Sequence, residues 1–150
     1  MCDLPQSKKM SKNKIVLIID DDDDDRSLFS DALCEVSSSV QCLSVSDGHE
    51  GLGLLRNRNN DLPDLIFLDL NMPRLNGKQC LEEIKKLPEL AHIPVIMYST
   101  TKRVEDVEET RKLGASYFLT KPAMFKDICN AIKMLLEKKW ELTVPLVLSK

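Results

Sequence analysis

The strongest constraint on the fold is a regular alternation between short apolar runs and longer segments with helical periodicity. Four of the runs are apolar throughout, and a fifth alternates weakly between apolar and polar residues. Strands without polar positions are typical of a parallel sheet that is covered on both faces. The predicted strands are Ile15–Ile19, Val40–Val45, Leu65–Leu68, Val95–Tyr98 and Tyr117–Leu119.

Apolar residues between these runs recur at the spacing of amphipathic helices. The segment after Asp47 gives the weakest helical signal, because it carries three glycines. Gly114 is well placed to end the helix that precedes the fifth strand. The helical stripes are Leu28, Phe29, Ala32, Leu33 and Val36; Cys80, Leu81, Ile84 and Leu87; Val104, Val107 and Leu113; and Phe125, Ile128, Ile132, Leu135 and Leu136.

The order of these elements is β-α repeated five times. Right-handed crossovers then place helices on both faces of a parallel sheet. We therefore predict an α/β, flavodoxin-like (βα)5 domain, doubly wound, with the five-stranded order 2-1-3-4-5. The 150 residues divide into a flexible leader (1–13), this domain (14–140) and a C-terminal tail (141–150).

Charge and hydropathy exclude several classes of function. The formal net charge is −3, and six of the 24 acidic residues form one block, Asp20 to Asp25. The remaining charges are mixed, which gives no electrostatic argument for binding nucleic acid or an anionic membrane. No run approaches the ~20 apolar residues of a membrane span, and the polar start does not resemble a signal peptide. We expect a cytoplasmic protein.

Polar residues follow four of the predicted strands. Asp20 and Asp21 follow the first strand, Asp69 the third, Ser99 the fourth and Lys121 the fifth. The carboxyl ends of parallel strands lie along one edge of the sheet, where ligands bind in such folds. The sequence therefore predicts that three carboxylates, one hydroxyl and one ammonium meet at this edge.

Such a cluster needs a cation. Two carboxylates about 4 Å apart repel by roughly 4 kcal/mol at an effective dielectric of 20, and one lysine cannot offset three of them. Oxygen ligands without nearby His or Cys favour Mg²⁺ over zinc. Because Mg²⁺ commonly binds one or two carboxylates together with a phosphate, the site is suited to a phosphoryl group. One carboxylate would attack phosphorus, while Mg²⁺, Lys121 and Ser99 stabilise the phosphoryl oxygens.

Four motifs in this order resemble the response-regulator receiver domains of two-component signalling. They are IVLIIDD, DLIFLDLNMPRLNG, PVIMYST and GASYFLTKP, and the resemblance extends from about Lys14 to about Trp140. The segments SDAL, LDLNMPRLNG and LPELAHIPVI are most similar to stand-alone receivers of the phytochrome-associated type.

The resemblance implies a role for each matching position. Asp69 is the phospho-acceptor, and Asp20 and Asp21 are the metal-binding pair. Metal ligation is completed by Asp69 and the backbone carbonyl of Asn71. Ser99 is the hydroxyl switch residue and Lys121 pairs with the phosphate. The remaining implied features are Phe118 at the aromatic switch position and a cis Lys121–Pro122 peptide bond.

The resemblance also implies the activity. The domain would accept a phosphoryl group from a phosphohistidine on a sensor histidine kinase or a histidine phosphotransfer protein, with Mg²⁺ as cofactor. It would then change its contacts with a downstream protein target. On this interpretation it is not an enzyme for other substrates and catalyses only its own phosphorylation and dephosphorylation.

Four points remain open. A small Mg²⁺-dependent phosphohydrolase of the haloacid dehalogenase type would use Asp20 as nucleophile with Asp22 two residues on. A phosphorylation-independent interaction module could use the same scaffold. Within the acidic block, Asp22 could replace Asp21 as a ligand, and the rest of Asp22 to Asp25 is interpreted as a solvated loop and first helical turn. The apolar stretch Val144–Leu148 could be unstructured, an added strand, or a contact in a homodimer.

Overall fold

The computed structural model describes residues 14–57 and 59–140. Five strands alternate with five helices. The elements are β1 (Ile15–Ile19), α1 (Asp23–Val36), β2 (Gln41–Val45), α2 (Gly48–Arg56), β3 (Leu65–Leu68), α3 (Gly77–Lys86), β4 (Val95–Ser99), α4 (Val104–Lys112), β5 (Tyr117–Thr120) and α5 (Phe125–Glu137).

The strands form one parallel sheet in the order β2-β1-β3-β4-β5, which confirms the predicted flavodoxin-like topology. Ile19, the last residue of β1, pairs with Val45 on one side and Leu68 on the other. The ends of these three strands are therefore level. Polar residues that follow them lie side by side at the same edge of the sheet.

Separate hydrophobic cores lie on the two faces of the sheet. Side chains from α1 and α5 cover one face, around the aromatic residues Phe29, Phe67 and Tyr98. Side chains from α2 and α3 cover the other face, including Leu52 and Leu81. Every residue of β1, β3 and β4 is buried, which explains why these strands read as unbroken apolar runs.

The helix with the weakest sequence signal forms nonetheless. Asp47 caps α2 by accepting a hydrogen bond from the backbone N–H of Glu50 at 2.8 Å. A Cβ at Gly51 would lie 2.6 Å from Cδ1 of Ile19. The glycine that weakened the prediction is thus the residue that lets α2 approach β1. Gly114 has φ = 112° after α4, as its predicted capping position requires.

Several predicted details were wrong. Leu28, Val104 and Phe125 belong to the predicted stripes but are 43%, 71% and 40% exposed. In α4 the buried residue is instead Thr110, whose hydroxyl donates to the carbonyl of Asp106 at 2.8 Å. This local bond satisfies the hydroxyl, so the position can be buried without being apolar.

The expected cis bond at Lys121–Pro122 was also wrong, because the described residues contain no cis peptide. Trans is the intrinsically preferred form before proline, by about 0.5–1 kcal/mol. The predicted leader (1–13) and tail (141–150) lie outside the described residues. Among the helices of the described ranges, none has the length and apolar character needed to cross a membrane.

Candidate functional site

Backbone hydrogen bonds align the residues that follow the strands. The N–H of Asp20 donates to the carbonyl of Val45 at 3.2 Å, and that of Asp69 donates to Ile19 at 2.9 Å. At the other side of the sheet, the N–H of Lys121 donates to the carbonyl of Ser99 at 2.7 Å. The polar residues thus continue the strand pairing by one residue, which fixes where their side chains begin.

The structure brings three of the predicted carboxylates together. One oxygen from each of Asp20, Asp21 and Asp69 lies within 4.8 Å of the others. Asp20 is fully buried and Asp69 is 6% exposed, whereas Asp21 is exposed. The cluster is therefore closed on the protein side and open to solvent at Asp21.

Lys121 reaches into this cluster from the end of β5. Its Nζ lies 2.8 Å from Oδ2 of Asp20 and 3.8 Å from Oδ1 of Asp69. The Lys121 side chain is 9% exposed, and Nζ lies 5.4 Å from the centroid of the Tyr98 ring. The ammonium is held close to both buried carboxylates by contacts on several sides.

The electrostatics of the site are dominated by burial and by like charge. Burial and the neighbouring Asp20 charge raise the pKa of Asp69 to about 8, against the opposing effect of Lys121. For Lys121, burial lowers the pKa, but the close ion pair with Asp20, the hydrogen bond to Asp25 and the charge of Asp69 outweigh it, so the pKa lies above its ordinary value. The lysine stays charged, and the carboxylates exceed what it can neutralise.

The acidic block divides into residues with different roles. Asp22 caps α1 by accepting a hydrogen bond from the N–H of Asp25 at 3.0 Å, and its own N–H donates to Oδ1 of Asp20 at 2.9 Å. Asp23 pairs with Arg26. Because the Asp22 carboxylate is engaged as a cap, the geometry favours the register in which Asp20 and Asp21 face Asp69.

Asp25 was not predicted to contact the site. Asp25 lies in the first turn of α1, as predicted, but its Oδ2 accepts a hydrogen bond from Nζ of Lys121 at 2.7 Å, so it is not merely a solvated residue. A sequence signal was available: Asp25 and the buried Phe29 are four residues apart in α1 and lie on the same helical face.

The remaining predicted residues lie at or near the same edge. Ser99 is the last residue of β4 and is fully buried, and its Oγ accepts a hydrogen bond from the N–H of Thr101 at 3.3 Å. Asn71 is exposed in the loop after β3. Phe118 is partly buried and packs against the core cluster that contains Met97.

The loop from β3 to α3 packs tightly against Asp69. The N–H of Gly77 donates to the carbonyl of Leu70 at 2.8 Å. A Cβ at Gly77 would lie 2.3 Å from the carbonyl oxygen of Asp69, so only glycine fits. Asn76 and Gln79 form a reciprocal capping box at the start of α3. Sequence reasoning did not identify Gly77 as part of the site.

The donor set fits a hard divalent cation. All three clustered side chains offer carboxylate oxygens, and no His or Cys belongs to this cluster. Oδ2 of Asp20 is buried and, despite its ion pair with Lys121, receives no well-directed hydrogen bond. A cation there would compensate charge that the protein leaves unbalanced, so the residues can hold a divalent metal.

Comparison with known proteins identifies the family. The model for the response regulator receiver domain matches residues 16–133. The chain belongs to this family. The match includes every residue of the cluster and each strand except the first residue of β1. It does not support the haloacid dehalogenase alternative, which the capping role of Asp22 also disfavours.

The relatives confirm the finer resemblance to phytochrome-associated receivers. The receiver is 30% identical over 137 residues to response regulator Rcp1 of Synechocystis sp., covering 89% of this chain and 92% of that protein. The phosphorylated cyanobacterial phytochrome response regulator RcpA is 32% identical, with a TM-score of 0.78 and coverage of 84% and 93%. The Mn²⁺-bound form of Rcp1 is 29% identical in sequence, with a TM-score of 0.74, and the match covers 87% of this chain and 97% of that structure.

Proposed function

We propose that this receiver accepts a phosphoryl group on Asp69 in a Mg²⁺-dependent reaction and thereby switches its contacts with other proteins. The observation that carries the proposal is the meeting of Asp20, Asp21 and Asp69 within 4.8 Å, with Nζ of Lys121 3.8 Å from Asp69. This geometry supports the proposal, because Asp69 would then act as the nucleophile beside two further carboxylates that could bind metal and beside the ammonium of Lys121.

The roles follow from position and charge. An oxygen of Asp69 attacks phosphorus, a new P–O bond forms, and the bond to the leaving group breaks with its electron pair departing on that group. Bound Mg²⁺ would neutralise phosphoryl oxygens and would be held by Asp20, Asp21, Asp69 and the carbonyl of Asn71. Lys121 supplies its ammonium to another oxygen.

The same chemistry defines the partners. The phosphoryl group would come from a phosphohistidine on a sensor histidine kinase or a histidine phosphotransfer protein. Ser99, whose hydroxyl is buried, and the partly buried Phe118 ring would move in response to the phosphoryl group and alter the protein surface. A downstream protein would bind one conformation in preference to the other. Shifting a two-state conformational equilibrium from 1:99 to 99:1 requires about 5.5 kcal/mol of differential interaction.

Incubation of the protein with acetyl phosphate and Mg²⁺, followed by intact-mass spectrometry, tests the proposal. We expect one phosphoryl adduct per wild-type chain and none on Asp69→Asn. Asp61→Asn is the matched control, because Asp61 is exposed in the loop before β3, and it should form the adduct like wild type. An adduct that survives Asp69→Asn would contradict the acceptor assignment. No adduct on wild type would favour a phosphorylation-independent interaction module, and sustained hydrolysis of a generic phosphomonoester would contradict a switch that accepts a single phosphoryl group.

A further inference from the structure

Lys121 is shared between the site and the first turn of α1. Its Nζ donates to Oδ2 of Asp25 at 2.7 Å and lies 2.8 Å from Oδ2 of Asp20. The distance to Oδ1 of Asp69 is 3.8 Å, which exceeds hydrogen-bond length. The Asp25 side chain is 31% exposed, against 9% for Lys121. The ammonium therefore sits on the α1 side of the site.

Two contacts keep it there. The Asp25 carboxylate is fixed by the helix, whose N-terminal turn is capped by Asp22. The Tyr98 ring lies 5.4 Å from Nζ and belongs to the packed aromatic group with Phe29 and Phe67. Lysine has three donors on a flexible stem, so its direction is set by the groups that receive them.

We propose that Asp25 is a positioning residue that restrains Lys121 and slows phosphorylation of Asp69. A phosphoryl group on Asp69 presents new oxygens with nearly two negative charges, and Lys121 must turn toward them. The Asp25 carboxylate competes for the same ammonium, so part of its hydrogen bonding must be given up when the phosphoryl group arrives. This inference rests on the proposed function.

The first experiment compares Asp25→Asn with Asp24→Asn. Both remove one negative charge from the same turn of α1, but only Asp25 is hydrogen-bonded to Lys121. With acetyl phosphate at saturating Mg²⁺, we expect Asp25→Asn to be phosphorylated about three- to tenfold faster than Asp24→Asn, because only part of one charge-assisted hydrogen bond has to be given up. Equal rates, or a slower Asp25→Asn, would overturn the proposal.

A double-mutant comparison separates positioning from a general structural effect. In a Lys121→Met background the two asparagine variants should be phosphorylated at equal rates, because no ammonium remains to be released. A difference that persists there would show that Asp25 acts through another group.

A second measurement does not need phosphorylation. Hydrogen exchange at Nζ of Lys121, followed by nitrogen-15 NMR, should be faster in Asp25→Asn than in Asp24→Asn, and unchanged exchange would refute the restraint. If wild type forms no adduct, the proposed function fails; if it does and the two variants behave alike, only the role of Asp25 fails.

Discussion

Two lysines in this receiver each contact more than one carboxylate, but in different surroundings. Lys121 is 9% exposed and lies near three carboxylates at the end of the sheet. Lys78 of α3 is 29% exposed and binds Asp106 at 3.0 Å and Glu109 at 2.7 Å, both from α4. The second cluster joins two helices nearer the surface, where Glu109 is 56% exposed and water solvates part of the charge, although the Asp106 side chain is 14% exposed.

The difference shows that the surroundings of an ion pair determine its consequences. Exposed pairs contribute roughly 0–1 kcal/mol, because water screens both attraction and repulsion. Buried carboxylates repel strongly and are costly to ionise. The Lys78 cluster therefore contributes a modest link between α3 and α4, whereas the Lys121 cluster holds an excess of negative charge that a cation and a phosphoryl group can use.

The largest expected effect comes from removing each lysine in turn. Lys121→Met should slow phosphorylation by acetyl phosphate about 100-fold, the typical loss when a buried group that stabilises the transition state is removed. Lys78→Met should leave the phosphorylation rate within about twofold, because the Lys78 ammonium is partly solvated and lies outside the carboxylate cluster that contains Asp69. Initial rates of phosphorylation, followed by intact-mass spectrometry, provide the measurement. Similar decreases in rate in both variants would contradict the distinction between the two clusters.

The close packing behind Asp69 gives the next contrast. Gly77→Ala places a Cβ against the backbone of Asp69 and Leu70 and should lower the free energy of unfolding by about 2–3 kcal/mol. Gly53→Ala is the control, since nothing lies within 4 Å of its Cβ in α2, and it should raise stability by about 0.5–1 kcal/mol. Urea denaturation measures both changes. A neutral Gly77→Ala would show that this loop can shift away from the site.

The raised pKa of Asp69 predicts how stability depends on pH without a divalent cation. Between its ordinary value of 3.8 and about 8, the folded protein keeps a proton that the unfolded chain has lost, so stability falls as pH rises through this window. Asp69→Asn should remove that decline and be more stable at pH 8, by on the order of 1–3 kcal/mol. Thermal denaturation across the pH range tests this, and Mg²⁺ should stabilise wild type more than the variant.

Most of the fold could be predicted from the sequence because its pattern is set by burial. Strands covered on both faces must be apolar, as β1, β3 and β4 are, and alternating elements allow few topologies. The positions of Asp20, Asp69 and Lys121 followed from strand ends alone. These residues meet at one edge because the strands are parallel and the carboxyl ends of neighbouring strands are aligned.

What could not be predicted depends on three-dimensional contacts that local patterns do not encode. Asp25 looked like one of several solvated acids, and only the path of Lys121 across the edge distinguishes it. Val104 looked like a core residue, but α4 buries Thr110 instead. Arg74, which adopts a φ of 64° and pairs with Asp47 at 2.7 Å, gives no sequence signal for either property.

The smallest expected effect belongs to the surface cluster, and it has the opposite dependence on pH. The hydrogen bond from Lys78 lowers the pKa of Asp106, so its stabilising contribution is present above 3.8 and is lost as pH falls. Asp106→Asn should lower the free energy of unfolding by less than about 1 kcal/mol at neutral pH, and 1 M salt should reduce that loss by screening.

Asp106 also accepts a hydrogen bond from the Thr101 hydroxyl at 3.2 Å, and the N–H of Thr101 donates to Oγ of Ser99. A cost well above this value that salt does not reduce would mean that the two clusters are coupled through Thr101, and that the surface pair supports the buried site.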